Sequence, residues 1–101
     1  MDMQVEQGDG SCVVRVAGDM DAESAYDVYL AAVEHADSCE TVTLDLSGVS
    51  FIDSVGLGML IRTRDEVHLN TRARFRLQDP SARVRRMLEL TALTSAFEIV
   101  A

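Results

Sequence analysis

Apolar and polar residues alternate over Cys12 to Ala17, "CVVRVA". Cys12, Val14 and Val16 fall on one side and Val13, Arg15 and Ala17 on the other, which predicts a half-buried strand. Met1 to Glu6 alternates more weakly and is predicted to pair with it through the turn Gly8-Asp9-Gly10. Gly18 is expected to end the strand. The period then changes: Ala25, Val28, Tyr29, Ala32, Val33 and Ala36 share one face of a helix over Asp21 to Ala36, with Asp21 as its N-cap and Tyr26 and Leu30 off the buried face. Alternation returns in Thr41 to Leu46, where Val42, Leu44 and Leu46 point inward. A second helix is predicted over Ser54 to Leu69, with Leu57, Leu60, Ile61 and Val67 as its core stripe and Asn70 as a left-handed C-cap. Arg72 to Leu77, "RARFRL", is the next strand. Asp79-Pro80 is predicted to open a third helix as cap and first residue, with Val84, Met87, Leu88 and Thr91 inward. Ala96 to Val100 closes the pattern with Phe97 and Ile99 inward.

Strands separated by helices imply parallel pairing. Because the strands alternate, one sheet face meets water: a parallel sheet covered on both faces reads as continuous apolar runs. The predicted fold is therefore α/β: a mixed, mostly parallel sheet with an N-terminal hairpin and helices on one face. Arg15, Asp45, Arg74 and Arg76 are placed on the open face. The chain of 101 residues shows no linker or repeat, so residues 1–101 are expected to form one domain.

Composition narrows the function. Net charge is −8, and all nine cationic residues are arginines, eight of them at or beyond Arg62. An acidic chain whose arginines are not interleaved with aromatics is a poor ligand for nucleic acid and favours a protein partner with basic patches. No secretory leader or spanning segment is read, and a cytoplasmic location is expected. Cys12 and Cys39 have no CxxC spacing; a structural disulfide between them stays open as the alternative, and two free thiols are the expected reading.

The stretch "VTLDLSGVSFIDSVGLGMLI" carries the candidate chemistry. Ser54 is not a hydrolase nucleophile: Ile52 replaces the first glycine of the nucleophile elbow, and His68 lies about 20 Å along the same helix. Gly56-Leu57-Gly58 is followed by Ile61 where a dinucleotide fingerprint needs glycine, and the chain has no lysine for a phosphate loop. Asp19-Met20-Asp21 fails the calcium-loop spacing and reads as a turn with a cap. Asp53 and Ser54 compete for one capping position. If Asp53 caps, Ser54 is a first-turn residue with an outward hydroxyl, and Gly56 and Gly58 leave the backbone bare for an approaching surface. A phosphate on Ser54 is favoured there by free N–H groups and the helix dipole.

"LDLSGVSFIDSVGLGML", with "VRVAGDMDAESA" before it and "DPSARVRRMLELTAL" after it, resembles the STAS domain family, specifically the bacterial anti-sigma factor antagonists. The resemblance implies a cytoplasmic regulator, not an enzyme and without a cofactor, that binds an anti-sigma factor serine kinase so that a sigma factor is released. Phosphorylation of the serine matching Ser54 abolishes the binding, and a serine phosphatase restores it. The kinase supplies ATP and magnesium. Asp21, Asp53, Ser54, Val55, Gly56 and Met59 are the expected partner-binding residues. Two positions depart from the pattern: Val55 stands where many relatives have a second serine, and Ala92 where the turn after the third helix often has glycine. The alternative implied by the same family is an accessory subunit bound to the ATPase of a membrane lipid transporter.

Overall fold

A computed structural model describes residues 1–101. One five-stranded sheet has the order β1(Asp2–Gly8), β2(Ser11–Met20), β3(Thr41–Ile52), β4(Arg74–Gln78), β5(Glu98–Val100). β1 runs antiparallel to β2 and every other pair is parallel. The hairpin turn is Asp9-Gly10, both at positive φ (51° and 78°), the mirror-image geometry that suits the twist of paired strands. Three helices connect the parallel strands: α1(Ala22–Ala36), α2(Ser54–Asn70) and α3(Ala82–Leu90).

The alternation sets the core. Cys12, Val42 and Phe75 are matched across three strands, and so are Val14, Leu44 and Leu77. All six are buried in one apolar cluster with the inner faces of the helices. On the opposite face Arg15 is matched to Asp45 and reaches Glu6 at 3.1 Å and Asp45 at 3.7 Å. The Arg15–Glu6 pair is open to water and contributes little to stability, while the Asp45 carboxylate is largely covered.

Several boundaries differ from the sequence reading, each for a local reason. Gly18 does not end β2: it takes φ +100° within the strand, and a side chain there would press on the Met1 backbone. β3 does not end at Leu46. It continues to Ile52 through two register shifts against β2, and each adds a residue to β3. The additions break the period-two pattern, so Val49 and Ile52 are buried three residues apart. Asn70 is not a left-handed cap. It is the last residue of α2, which stops at extended Thr71 (φ −137°), whose hydroxyl bonds the Val67 carbonyl at 2.6 Å. Asp79 and Pro80 do not open α3. Asp79 lies at φ +45°, and Ser81 is the cap, accepting from Val84 N and donating to the Val49 carbonyl.

Smaller shifts follow. β4 begins at Arg74 rather than Arg72, with Ala73 already buried. Thr91 is exposed, its hydroxyl bonded to the Met87 carbonyl at 2.7 Å. Thr94–Ala96 form a 3-10 turn before β5. α2 buries Thr63 in its stripe, where the hydroxyl bonds the Met59 carbonyl, while Ile61 is only half-buried.

Ala92 lies at φ +58°. Leu93 N bonds the Leu88 carbonyl and Ala92 N the Glu89 carbonyl, the pairing of a left-handed helix stop. The turn therefore keeps the shape glycine would give it, with alanine bearing the backbone strain.

Candidate functional site

β2 and β3 end side by side, with Met20 paired to Ile52. The next residue in each chain segment is an aspartate, and each caps a helix. Asp21 caps α1 and Asp53 caps α2, so two helix N-termini lie together at the C-terminal ends of two neighbouring interior strands. This register unites Asp21 and Asp53, which are thirty-two positions apart in sequence.

The competition for the α2 cap is resolved in favour of Asp53. Its carboxylate accepts from Gly56 N at 2.8 Å. Ser54 is the first helical residue and is exposed. In the first turn of a helix the leading amides have no intrahelical acceptor, so the Ser54 and Val55 N–H groups accompany that hydroxyl at the positive end of the dipole. Val55 is half-exposed (50%), Gly58 is exposed and Met59 partly buried, which gives the rim an apolar shoulder beside the hydroxyl.

Gly56 differs from the expectation. It is buried, and a Cβ there would lie 2.5 Å from the Met20 carbonyl oxygen. Its bare backbone serves the approach of α2 to the end of β2, not that of an outside surface. Gly58 is the open one: a methyl added there would find nothing within 4 Å.

Asp21 stands in a closed arrangement. Its carboxylate accepts from Ser24 N at 3.1 Å, and its own N–H donates to the Ser24 hydroxyl at 2.9 Å, a reciprocal capping box. The Ser24 hydroxyl has two acceptors for its one proton, the Asp19 carbonyl at 2.8 Å and the Asp21 carboxylate at 2.9 Å. The Ser24 backbone N–H, then its side chain, hold the Asp21 carboxyl below the ordinary carboxylate range.

Sequence reasoning missed Phe51 and Ser50, and it read Asp19 and Met20 as a turn, whereas both lie in β2, paired to Phe51 and Ile52. Phe51 is 42% exposed on the end of β3, next to the α2 start. Ser50 donates to the Asp19 carboxylate at 3.0 Å and ties the two strand ends together. The signal for Phe51 is the burial of Val49 and Ile52 around it, which the bulges hide by interrupting the alternation. No group of histidine, cysteine or acidic side chains is arranged to hold a metal ion.

Comparison with known proteins agrees with this architecture. The family model for the STAS domain matches residues 2–101. An anti-sigma factor antagonist from Mycobacterium paratuberculosis is 31% identical, with a TM-score of 0.79 over 98% of this chain and 84% of that one. An anti-sigma-factor antagonist (STAS) domain protein from Planctomyces limnophilus is 20% identical, with a TM-score of 0.79 over 100% of this chain and 91% of that one. SpoIIAA, the Bacillus cell fate determinant, in its phosphorylated form is 20% identical, with a TM-score of 0.74 over 99% of this chain and 91% of that one. With the family match spanning all but the first residue, and with antagonists among its structural neighbours, the chain belongs to the STAS domain family.

Proposed function

We propose that this protein is an anti-sigma factor antagonist whose binding surface is the paired helix starts and whose switch is Ser54. In this reading an anti-sigma factor serine kinase docks on Asp21, Asp53, Ser54, Val55 and Met59 and gives up its sigma factor. The observation that carries the reading is that Asp53 holds the cap, which leaves the Ser54 hydroxyl exposed at an anion-favouring helix start.

The switch follows from charge and position. Transfer of a phosphoryl group from the kinase's ATP adds nearly two negative charges at the centre of the docking surface. The helix dipole accommodates the dianion, so the fold persists while the partner meets a charge it must desolvate. A serine phosphatase resets the surface by hydrolysis. Gly56 belongs to the scaffold of this surface and not to its contact face, because Met20 occupies the space beside it.

A modifiable serine free of capping duty favours this reading over that of a transporter accessory subunit, which needs no such hydroxyl. Incubation with the cognate anti-sigma serine kinase, ATP and magnesium should yield one phosphate per chain, located on Ser54 by mass spectrometry. Ser54→Ala should take up none and still bind. Phosphate incorporation into Ser54→Ala at the wild-type rate would overturn the assignment.

A further inference from the structure

The second chemically distinctive feature lies at the other end of the sheet. Cys12 stands near the start of β2, about 26 Å of strand away from Met20 and the paired helix starts. It is fully buried. Cys39 lies on the turn between α1 and β3, partly buried against the same core. Both are thiols in the structure.

Three observations bring the sulfurs together. Glu40 N and Thr41 N both bond the Gly10 carbonyl, at 2.6 and 3.2 Å, which fixes the turn carrying Cys39 against the start of β2. Gln7 is directly opposite Cys12 in the β1–β2 ladder, so their side chains share the core-side face. The Gln7 amide reaches the Cys39 sulfur at 4.0 Å, which places that sulfur on the same face beside Cys12.

The two thiols differ in access. Burial, and then the adjacent Cys39 sulfur, push the Cys12 thiol up to about 11, so it is protonated and shut off from solvent at neutral pH. Cys39 instead lines an open depression between the C-terminal ends of α1 and α2, with Asp37, Leu69 and Arg72 around it.

We propose that Cys12 and Cys39 form a dithiol pair that a hydroperoxide converts to an intramolecular disulfide, with Cys39 as the sulfur that meets the oxidant. In the first step the Cys39 sulfur attacks hydrogen peroxide. The O–O bond breaks, leaving a sulfenic acid on Cys39 and releasing water. In the second the Cys12 sulfur attacks the Cys39 sulfur. The S–S bond forms, the S–O bond breaks, and the departing hydroxide leaves as water with the Cys12 proton. Two thiols are oxidised by two electrons in total, and one peroxide is reduced to two waters. The cross-link closes a loop of about 28 residues that contains all of α1, and it restrains the unfolded chain.

The reduced protein treated with hydrogen peroxide should lose the mass of two hydrogens. Peptide mapping without reductant should find Cys12 joined to Cys39, with reversal by dithiothreitol. The melting temperature should rise by roughly 10 °C on oxidation and fall back on reduction. Cys39→Ser under the same treatment should keep the Cys12 thiol intact. Cys12→Ala should carry Cys39 on to the sulfinic acid. Should wild type accumulate sulfinic acid on Cys39 beside an unreacted Cys12, or link two chains through Cys39, the pairing is wrong. The wild-type peptide map decides this even if Cys12→Ala fails to fold.

Discussion

The starts of α1 and α2 are built on the same plan and end in opposite chemistry. Each follows the last residue of a matched strand pair, and each is capped by aspartate. In α1 the third helical residue is Ser24, and its hydroxyl is held from both sides, by Asp21 N and the Asp19 carbonyl. In α2 the third residue is Gly56, and the serine stands two places earlier. The difference has a packing cause. A side chain at 56 would meet the Met20 carbonyl, so α2 has no room for the serine that completes a capping box. A serine in the third position is structural; a serine in the first position is left open to solvent.

Gly56→Ala tests the packing side of that contrast and should have the largest effect. The added methyl lies 2.5 Å from a backbone oxygen that cannot swing away, so α2 must shift off β2. A loss of about 3 kcal/mol in urea unfolding is expected, at the upper end for overpacking. Gly58→Ala should go the other way, gaining about 1 kcal/mol, since its methyl enters open space in a helix interior. If Gly56→Ala unfolds at the wild-type midpoint, Met20 does not limit the first turn and the comparison loses its cause.

Ser54→Asp sharpens the functional side. A carboxylate in the first turn suits the helix dipole, so the melting temperature should hold. Affinity for the cognate kinase should fall by at least tenfold, or about 1.4 kcal/mol, measured by calorimetry with Ser54→Ala as the uncharged control. Equal affinity for the two variants would show that charge at this position is not the switch.

Much of this was legible because local chemistry and tertiary structure agree. Cys12 to Ala17 and Thr41 to Leu46 alternate cleanly, and their inward residues are buried in the core, although Thr43, read as outward, is buried as well. The Asp9-Gly10 turn and the Asp21 cap also form as their residue types require. What was not legible depends on neighbours in space. The bulges that carry β3 on to Phe51 exist only against β2, and no period marks them in one strand. Gly56 and Gly58 look alike in sequence, yet the nearness of Met20 makes one a packing necessity and leaves the other open. Ser81 takes the α3 cap from Asp79 because its hydroxyl also reaches Val49, a partner thirty-two residues away. Thr63 reads as polar in the sequence, although a hydroxyl bonded within its own helix can be buried.

The smallest expected effect lies at the closed helix start. The Ser24 N–H and hydroxyl favour the charged form of Asp21, so the native carboxyl is depressed relative to the unfolded chain. The native state then binds fewer protons than the unfolded one across the interval between the two values. The contribution of Asp21 is complete above the ordinary carboxylate value and is lost as pH falls through the depressed one. Asp21→Asn keeps a capping oxygen but does not titrate there. Its melting temperature should therefore fall less steeply than that of wild type as pH drops below the ordinary carboxylate value, and the two curves should run parallel above it. The carboxyl is fully open to water, so the divergence should be small. Parallel curves throughout would mean that the capping box sets the geometry of Ser24 without holding the charge of Asp21. The closed start would then differ from the open one by steric fit alone.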